Sequence, residues 1–385
     1  MAFSLTPSSI DGTTNNNLFY PDKDKDRTYT HIMRLHLFAG GDVNGGTPDA
    51  ENKSQISLYE PGIGGKTKST ILMALMAIAG RLSRQTKPMK KRLEEIYQPG
   101  DKLYVVGFSR GAASTRRFAV ILNNKGLKLK DGTIVKQPPI ECVGCFETVT
   151  MQLLLRPIQL LIKKLFKKIS ISSSIGEKGA IAPNVKMGIH NVALDDNRMW
   201  IGSPFTFNPL LMGNADNVVE TWFAGEHGDV GGSYFSSEMP DFSLRYMMDW
   251  MQGGLGAGNC LKFIQAKDID PKNLVIDGEE DVNIKPTDLA LKCDPKGNIH
   301  LLTPMQTSNP SHRPVYVVKN DKVLKGATVK IHESVLLHME EMKKAGKKYP
   351  INPNIKETDF VVVGSLGKEL KVETAKLASN LENDY

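Results

Sequence analysis

Residues 103–122 read LYVVGFSRGAASTRRFAVIL. The run 103–106 is apolar and suits a buried strand. GFSRG follows without a spacer, and from 112 onward apolar positions recur at helical spacing. Strand, tight turn and amphipathic helix in immediate succession form half of a β-α-β unit, so this stretch predicts an α/β chain. The turn has the form G-x-S-x-G. Glycines on either side let strand and helix approach closely, and the serine between them sits on strained backbone with its hydroxyl raised at the sheet edge. The amides at the start of the following helix are donors for a developing oxyanion. Ser109 is therefore the candidate nucleophile.

The same alternation continues outward. Strand-like runs ending in Gly-, Ser- or Asp-rich turns occupy 31–38 (HIMRLHLF, then AGGDVNGG), 140–146, 185–194 and 221–224 (then GEHGDVGG). Helical patterns cover 67–84, 112–122 and 240–252, the last opened by a proline and closed before Gly253. Strands alternating with helices predict a mostly parallel, α/β-hydrolase-like sheet with helices on both faces. In such sheets ligands collect at the carboxyl ends of the strands, so the chemistry belongs in the turns that follow them. The expected organisation is a hydrolase core over 1–254 and a peripheral insertion or small subdomain over 255–330. That second segment is rich in Lys, Asp, Pro and Asn, with short strand-like pieces such as VYVVKN. A C-terminal helix and tail over 331–385 are expected to pack on the core.

A serine nucleophile needs a base within hydrogen-bond reach. In α/β hydrolases the chain order is serine, acid, histidine, which excludes His31 and His36. His190 falls inside a strand-like run, where a packed ring is expected, and His300 and His312 fall in the peripheral segment. His332 and His338 fall in an expected late helix, IHESVLLHMEEM. His227 sits in GEHGDVGG, on a glycine-rich turn directly after TWFA, the strand-end position a base requires. Three places stay open for the orienting carboxylate: Glu147 after IECVGCF, Asp195 with Asp196 after NVAL, and Asp229 two residues beyond His227. Glu147 is preferred, since either type of carboxylate can hold an imidazolium. The bland reading of Asp195 and Asp196 is a solvated turn or a helix cap.

Composition narrows the class. The 385 residues are 40% apolar, 24% charged and 7% aromatic, which excludes a disordered tail, a collagen-like repeat and a disulfide scaffold. Lys and Arg total 49 against 42 acidic residues, giving +7 and a pI near 9.0, a balance that suits an anionic partner without choosing one. No nucleic-acid recognition motif accompanies the charge, so no nucleic-acid partner is expected. Cys142 and Cys145 form an isolated C-x-x-C in an apolar run, and Cys260 and Cys293 stand alone. Buried thiols are expected rather than zinc ligands, and neither a metal nor a cofactor is expected. The opening MAFSLTPSSIDGTTNNN lacks the basic and apolar regions of a secretory signal, and no run reaches the ~18 apolar residues of a membrane span.

Seven motifs occur in order: IDGTTNNN at 10–17, YEPGIGG at 59–65, GFSRGAA at 107–113, CFETV at 145–149, HNVALDDNR at 190–198, WFAGEHGDVGGSY at 222–234 and IHESV at 331–335. The series resembles the α/β-hydrolase catalytic domain of type VI secretion phospholipase effectors. The resemblance implies a serine esterase acting on phospholipid acyl ester bonds, of A1 or A2 type, with no metal needed. It implies synthesis in the cytoplasm, export through a component of the type VI apparatus and action in the periplasm of a rival cell. The implied partners are a phospholipid membrane surface and a cognate immunity protein. Carried over, Ser109 is the nucleophile, Glu147 the acid and His227 the base. Asp11, Gly12 and Thr13 match the family's early loop beside the nucleophile, where an amide of Gly12 or Thr13 would complete an oxyanion hole with the Arg110 N–H. Two positions depart from the family pattern: Glu147 stands where aspartate is usual, and Gly228 where serine is usual.

After Glu147 comes MQLLLRPIQLLIKKLFKKIS, 151–170. Gln152, Arg156, Gln159, Lys163 and Lys167 line one helical face and apolar residues fill the rest, a pattern for an interfacial helix or a lid, kinked at Pro157. A core helix with snorkelling lysines gives the same pattern. Two competing functional readings remain: a soluble carboxylesterase or thioesterase on the same scaffold, and a catalytically decayed module binding membrane or a partner.

Overall fold

The central sheet is built from β1 Ala2–Leu5, β2 Ser57–Glu60, β3 Leu103–Phe108, β4 Ile140–Phe146, β5 Val185–Ala193, β6 Val218–Phe223, β7 Val329–His332 and β8 Phe360–Val363. The computed structural model describes residues 2–5, 29–60, 83–149, 152–153, 180–196, 205–206, 211–212, 215–234, 238–256, 261–277, 284–300, 312–319, 322–324, 326–349 and 351–371. In space the strands run β2-β1-β3-β4-β5-β6-β7-β8, and every neighbouring pair is parallel. The chain steps from β1 to β2 in one direction, then crosses back over β1 and advances strand by strand to β8. The order therefore reverses between β1 and β3, and a parallel sheet opens its ligand crevice at such a reversal, beyond the carboxyl ends of the strands. Ser109 is the first residue after β3.

Six helices are used below: α1 His31–Phe38, α2 Ser83–Ile96, α3 Arg110–Lys125, α4 His227–Gly231, α5 Asp241–Asp249 and α6 Glu333–Lys344. Alternation along β3 shows how the two faces are covered. Leu103 and Val105 pack with Met89 and Leu93 of α2 and with Ala112, Phe118 and Leu122 of α3. Tyr104, Val106 and Phe108 point the other way, into a cluster with Ile32, Leu35 and Phe38 of α1 and Leu244 and Met247 of α5. A strand buried on both faces carries no polar side, which is why 103–108 reads as an unbroken apolar run.

The run 31–38, expected as a strand, is instead helix α1. Every one of its eight residues is buried, so burial imposes no period that sequence could display. Its polar members each find a partner inside: Arg34 pairs with Asp241, and His36 Nδ1 lies 2.7 Å from Ser57 Oγ. Thr30 caps the N-terminus by accepting from Met33 N–H, and Gly40 with φ +89° follows the C-terminus. His332, expected within the late helix, is the last residue of β7 and the N-cap of α6. The helix expected at 67–84 lies outside the described residues except for its last two positions, which open α2.

Residues beyond 255 contribute to the same core. Leu261, Ile269, Leu274 and Leu289 join the cluster of α1 and α5, and Val315, Ile351 and Ile355 pack with Val192, Trp222 and Ile331. VYVVKN supplies one strand of a small hairpin, Val317–Lys319 against Lys322–Leu324. Gln152–Leu153 pair antiparallel with Phe205–Thr206, so the stretch 151–170 does not enter as a helix at its second residue; its remainder lies outside the described residues. No helix among the described residues is long and apolar enough to cross a membrane.

Candidate active site

The turn at Ser109 has the strain that G-x-S-x-G predicts. Ser109 has φ 57° and ψ −122°, a region costly to any residue with a Cβ, and it is fixed there from both sides. Its N–H donates to Phe146 O at 2.9 Å, and its carbonyl accepts from Val149 N–H at 3.3 Å. Both partners flank the end of β4, so the serine turn is bonded to the neighbouring strand. Gly107 is demanded by the approach of α3: a Cβ there would lie 2.5 Å from Gly111 O and from Thr115 Oγ1. Arg110 opens α3, so its N–H is the first amide of the helix, and burial lowers its guanidinium below the usual arginine range. Gly12 and Thr13 lie outside the described residues.

Glu147 follows β4 directly, also at positive φ, 46°. It is fully buried, and three donors converge on its carboxylate. Oε1 accepts from Ala193 N–H at 2.7 Å, while Oε2 takes Arg313 Nη1–H at 2.8 Å and lies 3.3 Å from His227 Nδ1. Burial alone would push this carboxyl up; the Arg313 guanidinium and the His227 hydrogen bond outweigh it and hold Glu147 below the ordinary carboxylate range. An ionised carboxylate only accepts, so the proton between the two groups belongs to His227 Nδ1 and leaves Nε2 as the basic nitrogen.

His227 is the first residue of α4, one short turn after β6, and is 6% exposed. Its ring lies against Phe108, centroids 4.6 Å apart. Gly231 permits that contact, because a Cβ there would meet the Phe108 ring at 2.1 Å. Ser109, Glu147 and His227 thus leave the carboxyl ends of β3, β4 and β6, on one edge of the sheet.

The competing acids are engaged elsewhere. Asp229 Oδ1 lies 2.7 Å from His300 Nδ1, and its Oδ2 accepts from Glu226 N–H and His300 N–H. Asp195 takes Gly225 N–H at 2.7 Å, Asn352 N–H at 3.0 Å and the Tyr349 hydroxyl, and burial pushes its carboxyl up to about 7. Asp196 is bound at 2.7 Å by Arg313 Nη2, so it joins the Glu147 cluster through the arginine. The remaining histidines are structural in their contacts. His190 Nε2 accepts from Thr148 N–H and its Nδ1 faces Glu220, His332 stacks on Phe223, His338 lies against Pro295 O, and His312 is exposed.

Acceptor atoms of Glu147, Asp196 and His227 come within 4.8 Å of one another, a spacing a divalent ion can use, but the guanidinium of Arg313 stands between the two carboxylates. Cys142 and Cys145 are buried free thiols, both pushed up by burial, Cys145 to about 12; Cys260 lies outside the described residues. Arg313 was not legible as a site residue: SHRPVY carries no motif, and only folding brings it to Glu147, 166 positions away.

Comparison with known proteins then places the chain. The family described as T6SS, phospholipase effector Tle1-like, catalytic domain, matches residues 9–134 and 128–250, well over half of the sequence. The chain belongs to this family. Its Tle1-like segment ends near α5, and the strands β7 and β8 and Arg313 lie beyond it. Among solved structures, the chain is similar to an uncharacterized protein from Pseudomonas aeruginosa, with 14% identity and a TM-score of 0.41, covering 72% of this chain and 47% of that one. A structure of the Tle1 effector bound to the VgrG spike from the type 6 secretion system gives 15% identity and a TM-score of 0.34, covering 60% and 50%. The chain thus spans about half the length of each. No curated protein matches it.

Proposed function

We propose that this Tle1-like chain is a serine-dependent phospholipase of A type, with Ser109 as nucleophile, His227 as base and Glu147 as the orienting acid. The observation that carries the reading is the hydrogen bond from His227 Nδ1 to a buried, ionised Glu147, at the sheet edge where the strained Ser109 turn also lies. In the first step the Ser109 hydroxyl oxygen attacks an acyl carbonyl carbon and its proton passes to His227 Nε2. The tetrahedral oxyanion is met by the Arg110 N–H, with Gly12 or Thr13 as the second donor. Collapse breaks the ester bond, and His227 returns the proton to the departing lysophospholipid oxygen. Water, deprotonated by His227, then attacks the acyl-enzyme; the acyl–Oγ bond breaks, His227 returns the proton to Ser109 Oγ, and the fatty acid leaves.

Family membership further supports delivery by a type VI apparatus, for which a VgrG-like spike is the proposed carrier, and action on phospholipid of a rival bacterium. A cognate immunity protein in the producing cell belongs to the same proposal. The test is mass spectrometry of products from a phospholipid with different sn-1 and sn-2 chains. Wild type should release one free fatty acid and the matching lysophospholipid, while a folded Ser109→Ala variant should release neither and take no fluorophosphonate label. Equal hydrolysis by that variant would remove the triad.

A further inference from the structure

Arg313 is 3% exposed and reaches the site from a segment outside the family match. Its Nη1 donates to Glu147 Oε2 at 2.8 Å and to Ala193 O at 2.9 Å, and its Nη2 donates to Asp196 Oδ2 at 2.7 Å. The Glu147 oxygen it holds is the one His227 Nδ1 reaches at 3.3 Å. One cation therefore ties the acid to a second carboxylate and to the end of β5, through the oxygen that orients the imidazole.

Two buried carboxylates beside one histidine cannot both stay ionised without a cation. Arg313 supplies it, and with it in place Glu147 remains a pure acceptor. The charge balance around His227 then rests on Glu147, Asp196 and Arg313, because the other ionisable groups nearby are paired. Asp229, on the same turn, holds His300, and Glu226, its N-cap, accepts from Gly228 N–H and the Tyr234 hydroxyl. Asp195 is held by Tyr349 and Asn352. From α1, His31 lies against Val230 O, kept neutral by burial; Phe108 brings no charge, and Arg110 heads α3.

We propose that Arg313 is a positioning residue of the hydrolytic site, clamping Glu147 to Asp196 and so fixing the direction of the His227 imidazole and the pH at which it serves as a base. The inference rests on the triad reading above.

The test measures kcat and KM against pH on a short soluble ester for wild type, Arg313→Met, Arg313→Lys and Asp196→Asn. Arg313→Met removes a positive charge and loosens Glu147, so kcat should fall about 100-fold with KM nearly unchanged, and the acidic limb of kcat/KM should move up by about one pH unit. Arg313→Lys keeps the charge but not the fork, so its limb should stay near wild type while kcat falls roughly tenfold. Asp196→Asn removes a negative charge and should move the limb the opposite way, by about half a pH unit. Should Arg313→Met fail to fold, the limb of Asp196→Asn decides alone. Limbs of folded Arg313→Met and Asp196→Asn that coincide with wild type overturn the clamp. Ser109-dependent activity with unmoved limbs removes this inference alone, whereas activity surviving Ser109→Ala removes the triad and the clamp together.

Discussion

Strain at the proposed nucleophile has a thermodynamic signature. Ser109 at φ 57°, ψ −122° occupies backbone that glycine adopts freely and alanine does not. Ser109→Gly and Ser109→Ala should both be inactive, but the glycine variant should be more stable by about 1 kcal/mol, read from denaturant midpoints. Equal midpoints would show that the turn stores no strain. Glu147 carries a second test. Glu147→Ala removes the carboxylate beside His227 and one of the two carboxylates that Arg313 holds, so kcat should fall about 1000-fold and stability by about 3 kcal/mol. Glu147→Asp keeps the charge but retreats by one methylene. With Ala193 N–H holding the other oxygen, kcat should fall roughly tenfold while stability changes less than in Glu147→Ala.

Between elements, the contact that matters most for the site is β3 against α3. Gly107 closes it, with Gly111 O and Thr115 Oγ1 each 2.5 Å from where a Cβ would stand. The carbonyl is backbone and cannot move aside, so Gly107→Ala should cost about 3 kcal/mol and lower activity by displacing Ser109. A variant as stable and active as wild type would show that the helix can retreat. The first glycine of G-x-S-x-G was readable from the pattern because the chain makes this contact with itself, four and eight residues on. Helix α1 was not readable, because all eight of its residues are buried and its polar side chains answer Asp241, Ser57 and Val230, all remote in sequence. The stop signal at Gly40 and the cap at Thr30 were present, yet both also fit a strand that ends in a turn.

For the molecule as a whole, buried ionisable groups set how stability depends on pH. His31 is pushed well below its usual 6.5, His36 to about 4 and His332 to about 3, each first by burial. Unfolding lets them take protons below pH 6.5, so their contribution is lost as pH falls toward 4. Glu147, held low when folded, acts in the same direction. Asp195 acts oppositely: raised to about 7 from 3.8, it favours the folded state most below the lower value and loses that contribution as pH rises through the higher. With His338 also lowered and Asp229 also raised by burial, the histidines outnumber the aspartates, so stability should rise by on the order of 2 kcal/mol per pH unit between about pH 4.5 and 5.5 and level off near neutrality. Urea midpoints measured against pH should show that rise, and Asp195→Asn should steepen it between about pH 4.5 and 6.5, because the opposing contribution is gone. A flat midpoint profile would contradict the burial of these groups.

Local chemistry made the parallel sheet, the serine turn and the strand-end positions of Glu147 and His227 readable, because apolar periodicity and glycine spacing act over a few residues and need no partner. Which of Glu147, Asp195 and Asp229 lies against His227 needed the fold, since each carboxylate follows or closely trails a strand and differs only in which distant donor reaches it. The same holds for Arg313, whose place between two carboxylates is a matter of where separated segments meet. Charge pairing is a property of distance in space, and a one-dimensional order of residues does not record it.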